Sequence, residues 1–234
     1  MVYGIGLRSV RRDLARWDLG ARLAAVAVLS VVSLVSSAGF TAGRAAEIDE
    51  TGFRPLFDGT SLAGWRASEN TASWRVADGE IVCHGPRSHL FYVGADPAAP
   101  ESFKDFHLQA EVLTKPGANS GIFIHSRFQD EGWPAHGYEV QVNNSHRDPV
   151  RTGSLYNTVK IFTPPARDEE WFTMDIVVKG RAVMVAVDGR VLYEFVEPEG
   201  VTGTRRLSEG LLALQAHDPD SVVHYRNLRV KRLD

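Results

Sequence analysis

Three two-residue turns, Asp78-Gly79, Lys179-Gly180 and Asp188-Gly189, each stand between short runs rich in β-branched and apolar residues. A glycine at the second turn position supplies the positive φ that tight hairpins need, so each pair predicts an antiparallel connection. Trp74–Val76 and Glu80–Cys83 flank the first turn. Trp171–Val178, Arg181–Val187 and Val191–Phe195 form a meander around the other two, apolar on both faces, as inside a sandwich. Further strands are expected at Phe106–Leu113, Gly121–Arg127, Tyr138–Val142, Gly210–Ala216 and Val222–Val230. No amphipathic helix follows residue 46. Regular short strands without crossover helices predict an all-β, antiparallel β-sandwich of the jelly-roll kind.

The first 46 residues differ from the rest. Arg8, Arg11, Arg12, Arg16 and Arg22 precede an apolar run, Leu23–Val35, and small residues follow it. This is the layout of an N-terminal signal helix, with cleavage near Ser36-Ser37-Ala38 or Gly43-Arg44-Ala45. The rival reading is an uncleaved membrane anchor, since Leu23–Gly43 carries no charge. The small, polar second half, SSAGFTAG, favours export and cleavage. Residues 1–46 carry six Arg and two Asp, a net +4, so the chain's −3 becomes −7 without them. Residues 47–234 then read as one acidic periplasmic or extracellular domain, ill suited to nucleic acid. Cys83 is the only cysteine, which rules out an internal disulfide.

Function is written in the strand faces. In HGYEVQVNNSH, residues 136–146, Tyr138, Val140 and Val142 alternate with Glu139, Gln141 and Asn143. Successive strand side chains point to opposite faces, so one face is apolar and the other lines up a carboxylate and two amides. In GIFIHSRF, His125 and Arg127 fall opposite Ile122 and Ile124, and a hairpin through the intervening loop would bring them alongside Glu139 and Gln141. Gln215 and His217 share a face in LLALQAHD, as do His107, Gln109 and Glu111 in FHLQAEVL. Such polar faces suit a sugar, whose hydroxyls need donors and acceptors, with Trp133 or Tyr156 covering the apolar face of a pyranose.

Each residue also has a plainer role open to it. His125 could be a satisfied strand histidine, and Arg127 could simply pair with Glu139. Trp65, Trp74 and Trp171 read as core. Asn119 before Ser120-Gly121 could be turn chemistry, as could Asp218 in His217-Asp218-Pro219. No tight ligand spacing requires a cofactor; a divalent cation, if bound, would sit on His125, Glu139 and His217.

The segments GFRPLFDGTSLAGW, ANSGIFIHSR, HGYEVQVNNSH, RTGSLY, EWFTMDIVVKG, VMVAVDGRV and LLALQAHDPDSVVHYRNLRVKRL, in that order, resemble the 3-keto-disaccharide hydrolase domain family. The resemblance runs from about Thr51 to Leu233. It implies a concanavalin-like jelly roll, exported, that cleaves glycosides oxidised at C3, and a partner sugar 3-dehydrogenase that makes the ketone. The family's G-Y-E-x-Q pattern is followed by an Asp where this chain has Asn143-Asn144, which shifts weight onto Glu139.

A ketone at C3 explains why one acid and two amides would suffice. It acidifies the C2 hydrogen, so a single base can form an enolate that expels the C1 substituent; water then adds to the enone. Glu139 or His125 is the expected base. Arg127, Gln141, Asn119 and Asn143 would bind the C3 oxygen or hydroxyls, and Tyr156 or His217 would protonate the departing oxygen. Two other classes stay open: a non-catalytic carbohydrate-binding module, and an ordinary glucan hydrolase needing two carboxylates, with Glu111 as the second.

Overall fold

The computed structural model describes residues 51–233, so the signal and anchor readings of residues 1–46 lie outside the described residues. Thirteen strands appear in chain order: β1 (Arg54–Pro55), β2 (Trp65–Ala67), β3 (Trp74–Ala77), β4 (Glu80–His84), β5 (Ser88–Tyr92), β6 (Phe106–Thr114), β7 (Ser120–Ser126), β8 (Tyr138–Val142), β9 (Phe172–Lys179), β10 (Ala182–Val187), β11 (Arg190–Val196), β12 (Leu211–Ala216) and β13 (Val222–Arg232). They form two antiparallel sheets. One runs β11-β10-β9-β6-β13-β4-β3, with β1 pairing on β13; the other runs β2-β5-β12-β7-β8. The expected jelly-roll sandwich is what forms; the hairpins at Asp78-Gly79 and Asp188-Gly189 close as read, while the one read at Lys179-Gly180 turns one residue later, at Gly180-Arg181, because Lys179 pairs with Ala182.

The period-2 pattern decides what fills the space between the sheets. Ile122 and Ile124 of β7, Val140 and Val142 of β8, and Leu212 and Leu214 of β12 meet Leu108, Ala110 and Val112 of β6 and Met174, Ile176 and Val178 of β9 in one continuous core. A smaller apolar cluster, Phe91, Val93, Phe123, Leu211 and Ala213, lies on the opposite face of the five-stranded sheet. At the rear of that sheet Ser120 donates to the Gln215 carbonyl and receives the Tyr225 hydroxyl at 2.7 Å, tying β7, β12 and β13 together. Trp74 is core, as read; Trp65 packs against the core from its edge, and Trp171 is half-buried under the Arg226 guanidinium.

Three expectations need correction. β11 is an edge strand with much of its surface in solvent, since it pairs with β10 on one side alone among the described residues. β5 was not foreseen: SHLFY is buried at every position, so it carries no alternation to read. His107, Gln109 and Glu111 sit on β6, in the other sheet from Glu139. There Gln109 donates to Asp175 at 2.9 Å and accepts from Arg229 at 2.7 Å, while Glu111 accepts from Arg226 at 2.6 Å. Glu111 therefore cannot be a second acid beside Glu139.

Phe106 is fully buried at the end of β6, edge-on to both Phe103 and His125. Truncating it removes the ring and leaves a cavity. Phe106→Ala should cost about 3–5 kcal/mol in urea unfolding, seen as a lower midpoint at unchanged slope.

Candidate active site

The outer face of the five-stranded sheet carries two rows of side chains running across the strands. Phe91, Ala213, Phe123 and Glu139 form the first, through the pairings Ala213 with Phe91, Ala213 with Phe123, and Phe123 with Glu139. The second holds His89, Gln215, Gly121 and Gln141, through the pairings Gln215 with His89 and Gly121 with Gln141. Gly121 is a gap in the second row, and the Glu139 side chain folds into it. A Cβ at Gly121 would collide with Glu139 Oε1 and lie 2.8 Å from its Cγ. Gln215 Nε2 donates to the same Oε1 at 3.0 Å. The acid and amides of the central strand are thus explained: the carboxyl group sits in a glycine notch, and amides flank it.

Burial in that notch pushes the Glu139 carboxyl up to about 7. The Gln215 hydrogen bond and the charge of Arg205 pull the other way, and Asp148 adds to the rise. A carboxyl group tuned to neutrality is able to give or take a proton at physiological pH.

Around Glu139 lies a cleft of about 580 Å³. Six of the nine residues read from sequence as site residues line it: Glu139, Asn119, Gln141, Trp133, Tyr156 and His217. Gln141 Nε2 donates to Asn119 Oδ1 at 2.8 Å, and Asn119 Nδ2 reaches His146 Nδ1 at 3.3 Å. Tyr156 is fixed by its backbone N–H on the Glu139 carbonyl at 2.9 Å, leaving its ring at the rim. Trp133 is 44% exposed, its ring 5.1 Å from that of His217.

His217 gains a partner that the sequence did not assign it. Its Nδ1 lies 2.7 Å from Asp218 Oδ2. Burial alone would raise the Asp218 carboxyl, but hydrogen bonds from His217, Ser221 and the Asp220 N–H outweigh it and hold the group below its usual range. Asp218 is therefore ionised and accepts a hydrogen bond from Nδ1–H, which leaves His217 Nε2 for the cleft. Asp218 also accepts the Ser221 N–H at 3.0 Å, so its expected turn role holds as well.

Three sequence-derived assignments fail on geometry. His125 breaks the alternation of β7: its φ of 52° lies in the left-handed region, at a place where the β7–β12 register shifts. The ring turns away from the cleft onto Phe106. There Nε2 donates to the Lys104 carbonyl at 2.8 Å and Nδ1 accepts the Ser208 N–H at 3.0 Å. The plainer role, a satisfied histidine, is the one it plays, and burial holds it neutral. Arg127 follows that kink beyond the end of β7, is exposed, and does not line the cleft. Asn143 is buried and committed to the loop after β8: Nδ2 donates to the carbonyls of Asp148 and Val150, and Oδ1 accepts from the His146 N–H and Arg151. The set His125, Glu139 and His217 is not brought together, and among the described residues no cluster of three His, Cys, Asp or Glu could hold a metal.

The cleft also holds residues that strand patterns could not reveal. Asp148 lies in the loop that Asn143 folds. Arg205 comes from the loop before β12, where Gly137 N–H binds the Thr204 carbonyl at 3.0 Å and Glu197 accepts from both Leu207 N–H and Tyr138 at 2.8 Å. His125, through Ser208, holds the far side of that same loop.

Comparison with known proteins gives a consistent picture. A family model described as a 3-keto-alpha-glucoside-1,2-lyase-like domain matches residues 52–231. A curated Bacteroides thetaiotaomicron protein, named 3-keto-disaccharide hydrolase, is 27% identical over 235 aligned positions, covering 80% of each chain. A crystal structure of a candidate glycosyl hydrolase from Parabacteroides distasonis superposes with a TM-score of 0.65 at 22% identity, over 78% of this chain and 94% of its own. The carbohydrate-binding module CBM66 of Bacillus subtilis shares the fold at a TM-score of 0.52 and 13% identity, over 72% of this chain and 96% of its own.

Two outcomes follow from the glycine notch. In Gly121→Ala the added methyl meets the movable end of Glu139 rather than backbone, so the protein should fold with a midpoint near wild type while the carboxyl is evicted. Its marker would be a Glu139 titration, followed by NMR, returning toward the ordinary carboxylate range. The second outcome concerns stability. A carboxyl whose folded pKa exceeds its unfolded value stabilises the fold only while protonated, and the benefit fades as pH rises from about 4.5 to 7. Glu139→Gln should therefore unfold like wild type near pH 4 and be more stable above pH 8, by on the order of 2 kcal/mol.

Proposed function

We propose, for a chain that belongs to the 3-keto-alpha-glucoside-1,2-lyase-like domain family, that it cleaves the glycosidic bond of 3-keto-glucosides by elimination. The observation that carries this reading is one cleft holding two proton-transfer groups of different kinds. One is a carboxyl pushed to about 7, and the other is a histidine whose Nδ1 is occupied by an ionised aspartate.

The chemistry needs no second nucleophilic carboxylate. Glu139, as carboxylate, takes the C2 proton that the neighbouring ketone acidifies. The electron pair moves into an enolate at C3–O, then returns to form the C1–C2 double bond as the C1–O bond breaks. His217, its imidazolium stabilised by Asp218, gives a proton to the departing oxygen. Addition of water across the double bond then yields the free keto-sugar. Arg205, in place of the Arg127 expected from sequence, is the cation near enough to feel Glu139 and to attract negative charge developing on the C3 oxygen. Gln141, Asn119 and Gln215 orient hydroxyls, and Trp133 and Tyr156 offer aromatic surface for the rings.

A second reading has an observation of its own. Asp148 lines the cleft with Glu139, so two carboxylates are present, as in hydrolases of unoxidised glycosides. Asp148, however, turns Oδ1 back to the Val150 N–H at 2.8 Å, which suits a loop-shaping role better than attack on a sugar. The fold shared with a carbohydrate-binding module does not favour simple binding, because that likeness concerns architecture alone. The chemistry also calls for an oxidoreductase that makes the ketone, and the N-terminal arginine-apolar segment suits export to the compartment where such glycosides would be met.

Matched 3-keto and unoxidised glucosides separate these readings. Wild type should turn over only the keto forms, and Glu139→Gln should lose at least a hundredfold with every aglycone. His217→Ala should lose as much with an alkyl aglycone but keep most of its rate with nitrophenoxide, which leaves without a proton. Turnover of the unoxidised glucoside, abolished in Asp148→Asn, would establish the second reading instead.

A further inference from the structure

Hydrogen-bond accounting sets one row of this sheet apart. Along His89, Gln215, Gly121 and Gln141, polar atoms stay unpartnered on three of the four strands crossed: both ring nitrogens of His89, Oε1 of Gln215 and Oε1 of Gln141. All of these atoms are buried, and His89 itself is 0% exposed. Nearby His125 and Asn143, equally buried, are paired at both polar ends of their side chains. Leaving one buried polar group without a partner is costly, and such groups in native folds need a reason. An imidazole at position 89 does nothing for the packing that Leu or Phe would not do better.

The surroundings of His89 say what the missing partner is. Its ring stands edge-to-face with Phe123 at 5.3 Å and with Trp133 at 5.6 Å, and tilted to Phe91 at 6.3 Å. Burial drives its pKa down to about 3, against the pull of Glu69 and with the push of Arg87 and His217, so the ring is neutral. A neutral imidazole offers one donor and one acceptor, which matches a hydroxyl and neither an anion nor a cation. A hydroxyl-bearing partner set between aromatic rings is what a sugar offers.

One of the rings over His89 stands at the protein surface. Trp133 is 44% exposed and belongs to the loop between β7 and β8. That loop is pinned from below by Glu69, which accepts the Gly132 N–H and the Arg87 Nε, both at 2.8 Å; the Arg87 guanidinium in turn lies 5.1 Å from the indole ring. The row from β5 to β8 crosses three strand spacings, about 14 Å, more than one pyranose ring spans and close to two.

We infer that His89 is the polar anchor of a second sugar subsite beneath Trp133, reached when that ring swings aside, where it binds a hydroxyl of the leaving unit of a disaccharide. The subsite rests on the reaction proposed above and adds to it a specificity-determining residue: a two-ring keto-glycoside would lie across the strands, with its reacting ring at Glu139 and its departing ring at His89.

The test compares a 3-keto-disaccharide with methyl 3-keto-glucoside, which has the same reacting ring and no second one. His89→Leu, in the full chain, should raise KM for the disaccharide about tenfold or more while the methyl glucoside stays within twofold. It should also melt higher by about 3 °C or more, since the unpartnered nitrogens are gone. His89→Gln, which keeps a donor and an acceptor, should recover much of the disaccharide KM. Equal changes on both substrates, no change on either, or a lower melting temperature with no recovery in His89→Gln would each overturn the subsite. Wild type acting on neither substrate would overturn the reaction and the subsite together; wild type acting on both, with an indifferent His89→Leu, overturns the subsite alone.

Discussion

The seat of Glu139 over Gly121 is the interaction on which the site depends. It exists because β7 and β8 pair so that Gly121 faces Gln141 while Phe123 faces Glu139. A slip of one residue would turn Glu139 into the core and Val140 into the cleft, since a strand's side chains change face at every step. The register is held by burial on the other side: Ile122, Ile124, Tyr138, Val140 and Val142 all belong to the inter-sheet core. Sandwich packing and carboxyl tuning are therefore one event. The apolar face fixes the strand, and the strand places an acid where water is scarce.

The rim obeys a second rule. Loops that carry side chains into the cleft are fastened by polar residues pointing away from it. His125 grips Ser208 on the loop that bears Arg205, and Asn143 closes the loop that bears His146 and Asp148. Both bond to backbone groups that would otherwise be buried without partners, so their own chemistry is spent on shape. This explains why the same residue types do opposite work a few positions apart. His217, with one nitrogen held and one free, is an instrument; His125, with both nitrogens held, is a fastening.

The sequence was readable where a pattern repeats and unreadable where a single backbone angle intervenes. Alternation and Gly turns delivered ten of the strands and the pairing of β7 with β8, because each rests on local sterics. The outward placement of Glu139 and Gln141 followed from the same periodicity. His125 escaped it, since a φ of 52° within the strand reverses the face and nothing in GIFIHSRF announces that angle. Arg127 was lost with it. Sheet membership was equally hidden: FHLQAEVL and YEVQV show the same alternation, yet one lies in each sheet. Arg205 and Asp148 reach the cleft from loops, where position is a tertiary outcome.

The comparison between the two outer sheet faces shows why polarity alone misleads. On the eight-stranded sheet, His107, Gln109 and Glu111 look as functional as anything on β8, and they meet Asp175, Arg229 and Arg226 in a connected network. That network closes nearly completely on itself, with Asp175 Oδ2 its one buried atom without a partner. A sugar laid there would have to break existing bonds to make new ones, and the exchange would gain little. On the five-stranded sheet the reverse holds: Gln141 and Gln215 each give a hydrogen to a neighbour and keep a carbonyl oxygen without a donor, and His89 keeps both nitrogens. A surface left short of partners in the free protein is one that a polyhydroxyl ligand completes. The residues that bind are thus told apart from those that brace by what each has left to give.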